Sequence, residues 1–268
     1  VAPDGSDGKG VGWLTSPWRT ISFALEQVLP RSDKDARVVV AEGVYEEDVT
    51  LRSRVIVTGA TGAEVVIAGQ VFGAQKSALR RVTITGAEGD DFLFEMNDVA
   101  MEVSQVRFEG SEARNMTGMR IFGGRPVGSL IDLCHFSSLG LGIDIGGSIP
   151  RIRRCTFENI PVSFGEPPQP GAAIILRATD EEPPAGENQS LGDTTDPSTG
   201  WNDFLRSVEG LAVINEREDT ILMQDNYWGF TDPADFGGRV QGPAVLEPVL
   251  VQSSAILAAS VFCTVWSE

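Results

Sequence analysis

Short β-rich runs that end on a large apolar residue recur along this chain of 268 residues. Their ends are separated by 24, 28, 21 and 71 residues and fall at Ile84, Phe108, Phe136, Phe157 and Trp228. The first three intervals lie in the range of solenoid repeats, and no helix-length spacer separates the runs. Such a repeat predicts an all-β solenoid, a single-stranded parallel β-helix whose coils stack about 4.8 Å apart.

Alternation along each run assigns its residues to the inside or the outside of the predicted solenoid. The last residue of a run points inward, and so does the residue two positions before it. The residue between them points outward. The earlier inward column is Val82, Val106, Cys134, Cys155 and Asn226, and the outward column is Thr83, Arg107, His135, Thr156 and Tyr227.

An antiparallel β-sandwich is the competing interpretation, because it also uses short strands. A sandwich predicts two-residue hairpin turns of the Asn-Gly or Asp-Gly type at regular places. The sequence has no Asn-Gly, and its one Asp-Gly, Asp4-Gly5, precedes every predicted strand. The turn chemistry therefore favours the solenoid.

One helix and one insertion interrupt the strand pattern of a single predicted domain, 1–268. Apolar residues at helical spacing predict a helix over 17–29, with Ser16 as its N-cap and Pro17 in its first position. An acidic, proline-rich stretch with one predicted strand, Ala172 to Arg177, is typical of an inserted loop. The predicted parts are an N-terminal cap with the helix (1–30), coils (31–160 and 204–229), the inserted loop (161–203) and a C-terminal cap with an apolar tail (230–268).

Two stretches carry a family resemblance. The first runs from Pro3 to Leu51 and includes Ser16-Pro17-Trp18, and the second runs from Asn226-Tyr227-Trp228-Gly229 to Leu250. They resemble the opening and the last coil of the pectin-lyase-like right-handed parallel β-helix superfamily. The resemblance implies a right-handed single-stranded parallel β-helix with an N-terminal capping helix and a C-terminal cap. It matches no specific enzyme family, because in that superfamily these motifs cap and turn the solenoid.

Enzymes of the superfamily that the chain resembles suggest the catalytic alternatives. Gly43, Tyr45 and Glu47 match the Gly-x-Tyr-x-Glu entry of pectin methylesterases, but the glutamine and two aspartates that those enzymes need are not found. A polygalacturonase-type site needs clustered aspartates, and Asp90-Asp91 is the one Asp-Asp pair. A pectate-lyase-type site needs Ca²⁺ and an arginine or lysine base. The weak catalytic candidates that remain are His135, Arg107 and Arg154.

Charge limits the partners of the chain. Lys plus Arg number 21 and Asp plus Glu number 38, so the formal net charge is −17 and no nucleic acid is expected as a partner. Basic side chains from successive coils nevertheless align on the predicted outer face. Such a strip binds the carboxylates or sulfates of an acidic polysaccharide through bidentate arginine contacts, although an ordinary solvated strand face carries similar charges. The predicted ligand-binding residues are Arg81, Arg107, His135, Arg154 and Tyr227.

Metal and thiol chemistry are sparse. With one histidine, and three cysteines without a CxxC spacing, no metal cluster and no cofactor are expected. Ca²⁺ is possible at Asp4 and Asp7, where a capping turn is the alternative. Cys134 and Cys155 occupy the same place on neighbouring coils and are expected to be free thiols.

The combined expectation is a non-catalytic extracellular or cell-surface β-helix scaffold that binds glycan or assembles with partner subunits. The alternative is a polysaccharide lyase or glycoside hydrolase that acts on an acidic polysaccharide at the outer face. A secreted or cell-surface bacterial protein is expected, and a cleaved export signal would leave no trace. The sequence has no run of 18 uninterrupted apolar residues, so no transmembrane segment is predicted. The apolar residues from Val251 to Trp266 either pack on the flank of the solenoid or mediate self-assembly.

Overall fold

Three stacked parallel sheets hold most of the strands in the computed structural model, which describes residues 1–31, 34–111, 115–165, 167–178, 190–192, 195, 200–205, 209–229, 237–247 and 249–250. The first sheet has six strands: β1 (Ala36–Val40), β4 (Val55–Gly59), β7 (Ala78–Arg80), β10 (Glu102–Ser104), β13 (Leu130–Asp132) and β16 (Arg151–Arg153). The second has seven: β2 (Gly43–Tyr45), β5 (Val65–Ile67), β8 (Thr83–Ile84), β11 (Arg107–Glu109), β14 (His135–Ser137), β17 (Thr156–Glu158) and β22 (Asp203–Phe204). The third has eight: β3 (Val49–Thr50), β6 (Val71–Phe72), β9 (Phe92–Asn97), β12 (Thr117–Gly123), β15 (Leu141–Gly147), β20 (Ala172–Leu176), β23 (Leu211–Asn215) and β25 (Val240–Gln241).

The remaining described elements are short. One α-helix, α1 (Ile21–Gln27), precedes the strands, and 3₁₀ turns span Arg125–Gly128 and Gly237–Arg239. An antiparallel hairpin joins β18 (Ser163–Phe164) to β19 (Gln169–Pro170), and a small parallel sheet contains β21 (Ser190–Gly192), β24 (Ile221–Met223) and β26 (Ala244–Val245).

The chain visits the three large sheets in a fixed cyclic order. β1, β2 and β3 enter the first, second and third sheet, and each later set of three repeats this order through β15. Each strand pairs in parallel with the strand one turn later, as Arg107 pairs with His135 and His135 with Thr156. The prediction of an all-β chain of parallel strands is confirmed, and the arrangement is consistent with a parallel β-solenoid.

An aromatic stack runs through the second sheet and forms the centre of the core. The rings of Phe108, Phe136, Phe157, Phe204 and Trp228 lie face to face, with successive centroids 4.6, 4.8, 5.2 and 4.8 Å apart. These distances match the spacing of about 4.8 Å between neighbouring strands. Each ring therefore lies directly over the equivalent ring of the next turn, and all five side chains are fully buried.

The earlier inward column, which begins at Val82, changes from aliphatic to amide side chains along the solenoid. It begins with the aliphatic side chains of Val82 and Val106, and all its predicted members are buried. Two buried amides lie at its far end. Asn202 accepts a hydrogen bond from the N–H of Cys155 at 3.0 Å and donates to Asn226 Oδ1 at 3.1 Å, and Asn226 donates to Met223 O at 2.9 Å. These bonds satisfy the polar groups that burial would otherwise leave unpaired.

Phe204 is the member of the aromatic stack that the repeat pattern does not reveal. It lies 47 residues after Phe157 and 24 before Trp228, so the 71-residue interval contains an additional coil. Its strand, β22, begins at Asp203, inside the interval 161–203 that was expected to be an inserted loop. The one strand predicted in that interval is present as β20.

The helix is shorter than predicted, and its predicted start at Pro17 is wrong. Its N-cap is Thr20, whose hydroxyl accepts from the N–H of Phe23 at 3.2 Å. The carboxylate of Glu47 accepts from the N–H groups of Ile21 at 2.7 Å and Ser22 at 2.9 Å. Glu47 thus satisfies two N–H groups that have no partner within the helix, which explains why the helix begins after Thr20.

The C-terminal end is described only in part. Residues 230–236, 248 and 251–268 lie outside the described residues, and so does the predicted apolar tail from Val251 to Trp266. Leu250 forms a parallel bridge with Tyr227, which itself bridges Asp203 of the second sheet. No helix among the described residues has the length and hydropathy needed to cross a membrane.

We expect Phe157→Ala to lower the free energy of unfolding by about 3–5 kcal/mol, because it leaves a cavity between two stacked rings. Urea denaturation measures this change. Val162→Ala is the control, because Val162 is 67% exposed and its truncation should change stability by less than about 0.5 kcal/mol. An equally small effect of Phe157→Ala would contradict a stabilising role of the stack.

Removing the carboxylate that caps α1 should weaken the N-terminal end of the solenoid. We expect Glu47→Ala to lower the free energy of unfolding by about 0.5–2 kcal/mol, the usual effect of losing a helix cap. Glu46→Ala is the matched control, since the neighbouring Glu46 is exposed. Equal denaturation midpoints for the two variants would rule out the capping role.

The buried phenol of Tyr45 makes stability depend on alkaline pH. Its hydroxyl donates to Ala41 O at 3.0 Å. Burial, with smaller effects from the charges of Glu47 and Asp4, raises the pKa of Tyr45 from 10.0 to about 12. The fold therefore favours the neutral phenol, whose stabilising contribution is complete below pH 10 and is lost as the pH rises through about 12.

Spectroscopic titration checks this shift. Tyr45 and Tyr227 are the two tyrosines of the chain, so the ultraviolet absorbance of tyrosinate in Tyr227→Phe reports Tyr45 alone. We expect a midpoint near pH 12 for the folded variant and about 10 for the same variant in urea. Identical midpoints in the two conditions would mean that the phenol is not shielded by the fold.

Candidate functional site

A groove crosses the outer face of the second sheet over β5, β8 and β11. It encloses about 530 Å³ and opens to solvent on one side. Two of the predicted ligand-binding residues, Arg81 and Arg107, line it. The other polar lining residues are Glu64, Thr83, Thr85, Gln105 and Glu109. The groove therefore combines hydroxyl, amide, guanidinium and carboxylate groups.

Strand register places the floor of this groove. Val66, Thr83 and Arg107 are partners in three neighbouring strands, one in each turn of the chain. Their neighbours on either side point into the core, as Val82 and Ile84 do. The alternation of each strand therefore exposes one column of side chains to the groove.

The corner between the first and second sheets is built differently. Its residue has a left-handed backbone in successive turns, with φ of +54° at Arg81, +55° at Gln105, +55° at Leu133 and +52° at Arg154. Non-glycine residues are uncommon in this region. Here the N–H of each donates to a carbonyl of the next turn, as Arg81 does to Ser104 at 3.2 Å. A backbone hydrogen bond thus ties the corner of each turn to the next turn.

This corner divides the predicted basic strip into two columns. Arg107 and His135 are partners on the face of the second sheet, as alternation predicts. Arg81 and Arg154 instead occupy the corner, where Gln105 and Leu133 separate them. Placing all four basic residues on one strand face was wrong, because the left-handed turn interrupts the alternation.

Acidic partners also neutralise much of the predicted positive charge. Arg107 Nε lies 2.7 Å from Glu109 Oε1 on the same strand, and His135 Nε2 lies 2.9 Å from Glu158 Oε1 on the next. Arg81 is directed to its own fold, since it donates to Gly59 O at 3.2 Å and to Thr58 Oγ1 at 3.0 Å. The face is therefore of mixed charge. The Arg-x-Glu spacing of 107 and 109, two residues apart on one strand face, is the sequence signal for such pairing.

Arg154 is held by a buried carboxylate. Asp132, which is 7% exposed, accepts from Arg154 Nε at 2.8 Å, from Arg154 Nη2 and from Arg153 Nη2 at 3.3 Å. The hydrogen bonds with Asp132 raise the pKa of Arg154 above its usual value. A guanidinium held in this way stays protonated, so it is poorly suited to abstract a proton.

His135 and Tyr227 lie outside the groove. His135 is one turn beyond its edge, next to Arg107, and its Nδ1 is buried with no hydrogen-bond partner among the described residues. Tyr227 follows His135 by three steps along the same column, through Thr156 and Asp203. The structure thus brings Arg81 and Arg107 together, keeps His135 adjacent, and separates Arg154 and Tyr227 from the groove.

Asp7, one of the two Ca²⁺ candidates, makes hydrogen bonds within the fold. Asp7 Oδ1 accepts from the N–H groups of Arg19 and Thr20, and Asp7 Oδ2 accepts from the Thr20 hydroxyl. The carboxylate therefore ties the N-terminal loop to the start of α1. Among the described residues, no group of three or more His, Cys, Asp or Glu side chains is arranged to hold a metal ion. Cys134 and Cys155 are buried free thiols, and burial raises the pKa of Cys155.

The chain matches no protein-family model, no curated protein and no solved structure.

Proposed function

We propose that this protein is a non-catalytic, right-handed parallel β-helix scaffold that binds an acidic polysaccharide in the groove over β5, β8 and β11. The resemblance to the pectin-lyase-like superfamily supports the handedness, because the parallel crossovers of that superfamily are right-handed. Its place in this proposal is on a cell surface or outside the cell, where such polysaccharides occur.

The composition of the groove carries the proposal. Thr83, Thr85 and Gln105 offer hydrogen bonds to sugar hydroxyls, and Arg107, whose side chain is 58% exposed, offers a guanidinium to a sugar carboxylate. A volume of about 530 Å³ lies in the range of small-molecule sites. A short segment of a polysaccharide therefore fits, with its ends free to extend along the surface.

Binding is favoured over cleavage by the state of the candidate catalytic groups. Arg107 and Arg154 are guanidinium groups that each pair with a carboxylate, and His135 has its Nε2 against Glu158 and its Nδ1 buried, so none of the three presents an accessible basic nitrogen to the groove. Glu64 and Glu109 are the two groove carboxylates. Glu64 precedes β5 and Glu109 is the last residue of β11, so they lie at opposite ends of strands that are two turns apart. Glycoside hydrolysis uses carboxyl groups about 5–9.5 Å apart, which this placement does not favour.

Substitution of the exposed groove arginine tests the proposal. We expect Arg107→Gln to weaken binding of a polyuronate such as polygalacturonate by about tenfold or more, because a hydrogen bond to a charged group contributes about 1.5–3 kcal/mol. Isothermal titration calorimetry measures the affinity. Arg125→Gln is the matched control, since Arg125 also contacts an acid, Asp98, but lies outside the groove.

The same samples separate a scaffold from an enzyme. A scaffold leaves the polyuronate intact, so no unsaturated or reducing ends accumulate during prolonged incubation. Release of such ends by the wild-type protein would overturn the non-catalytic part of the proposal. Equal affinities of Arg107→Gln and Arg125→Gln would overturn the assignment of the groove.

A further inference from the structure

A second groove, of apolar character, lies at the N-terminal end of the solenoid. It encloses about 510 Å³ between the loop of residues 12–18 and the first strand, β1. Trp13, Leu14 and Val39 line it and are 73%, 98% and 48% exposed. No lining residue is acidic and one, Arg37, is basic, whereas the whole chain carries a charge of −17. The groove lining itself therefore adds no negative charge to the repulsion between copies.

The exposed apolar surface extends beyond the groove itself. Val11, next to the 12–18 loop, is 61% exposed, and Leu29, next to the lining residue Val28, is 74% exposed. Scattered apolar side chains are normal on a protein surface, but a contiguous apolar patch marks an interaction site. The patch lies at the end of the solenoid, and the polysaccharide groove lies on its side.

The same chain contains a segment with matching chemistry. Residues 251–267 carry no charged side chain and include Ile256-Leu257, Val261-Phe262 and Val265-Trp266. They lie outside the described residues and follow Leu250, which pairs with Tyr227 at the last position of the second sheet. The last described residue before the segment, Leu250, therefore lies at the end of the solenoid opposite to the apolar groove.

The distance from Leu250 to the N-terminal end of the solenoid favours binding of this segment to the groove of a second copy. In the second sheet, eight steps lead from β2 to Leu250, or about 38 Å at about 4.8 Å per step. The six residues from Val251 to Ile256 span roughly 20 Å when fully extended. Ile256 and Leu257 therefore fall short of the groove of their own chain, and Phe262 covers the distance only if residues 251–262, roughly 40 Å when fully extended, run straight along the solenoid. A second copy stacked end to end places its groove where the segment begins.

We propose that residues 251–266 of one copy bind the N-terminal apolar groove of a second copy. The contact is head-to-tail, since it joins two different surfaces of identical chains. It removes Trp13 and Leu14 from water and joins a groove without acidic residues to a segment without charged side chains. The contact is independent of the proposed polysaccharide binding, because the two grooves share no lining residue.

Sedimentation velocity over a range of concentrations tests this assembly. We expect the mass of the wild-type chain to rise with concentration above the 28.7 kDa of one chain. Leu14→Asp in the groove and Phe262→Asp in the segment should each give a monomer at every concentration. Val162→Asp is the control, because it places the same charge on another exposed apolar residue, and it should associate as the wild type does.

Mixing the two defective variants distinguishes a head-to-tail contact from a symmetric one. Leu14→Asp keeps its segment and Phe262→Asp keeps its groove, so an equimolar mixture should form a dimer of twice 28.7 kDa. A mixture that stays monomeric, or a wild type that is monomeric at all concentrations, would overturn the proposal. Circular dichroism verifies that each variant is folded, and Trp266→Asp replaces Phe262→Asp if the latter is not.

Discussion

In-register parallel pairing is the constraint on which the rest of this structure depends. Every strand of the second sheet lies beside the strand one turn later, with equivalent residues as partners. Whatever side chain a position carries is therefore repeated at a spacing of about 4.8 Å. Flat aromatic rings tolerate this spacing because it matches a stacking distance. Charged groups that recur at this spacing need partners of opposite charge, which Arg107 finds in Glu109 of its own strand and His135 finds in Glu158 of the next strand.

The proposed function follows from where this regularity is relaxed. A solenoid built from strictly identical turns would present a uniform face, and no part of that face would differ from another. Over β5, β8 and β11 the outward residues are Val66, Thr83 and Arg107, and this change of side chain from turn to turn creates a polar groove. The N-terminal end of the solenoid is another place where the repetition stops, and there the surface is apolar instead. Side and end thus offer different chemistry to different partners.

The regular part of the fold was predictable, and the irregular part was not. Alternation within each run identified both inward columns, because burial depends on strand period alone. The helix start was missed because the carboxylate that caps it, Glu47, lies 26 residues after Ile21. Phe204 was missed because no β-rich run leads up to it.

The candidate site was also predictable only in part. Arg107 was identified as an outward residue of the second sheet, which the register bears out. Arg81 was identified as basic and exposed, but its position at a left-handed corner depends on backbone torsion angles that no residue type announces. Glu109 and Gln105 carry no positive charge, so an alignment of basic residues does not single them out.

The change from aliphatic to amide side chains along the inner column has a consequence for how such a chain lengthens. Val82 and Val106 need only packing volume from their neighbours. In this column, a turn of this kind can therefore be duplicated or lost without leaving a side-chain hydrogen bond unmade. Asn202 and Asn226 each require a named donor or acceptor in the adjoining turn. Within this column, an added turn therefore needs only matching volume beside the valines, whereas beside the amide pair it also needs a matching hydrogen-bond partner.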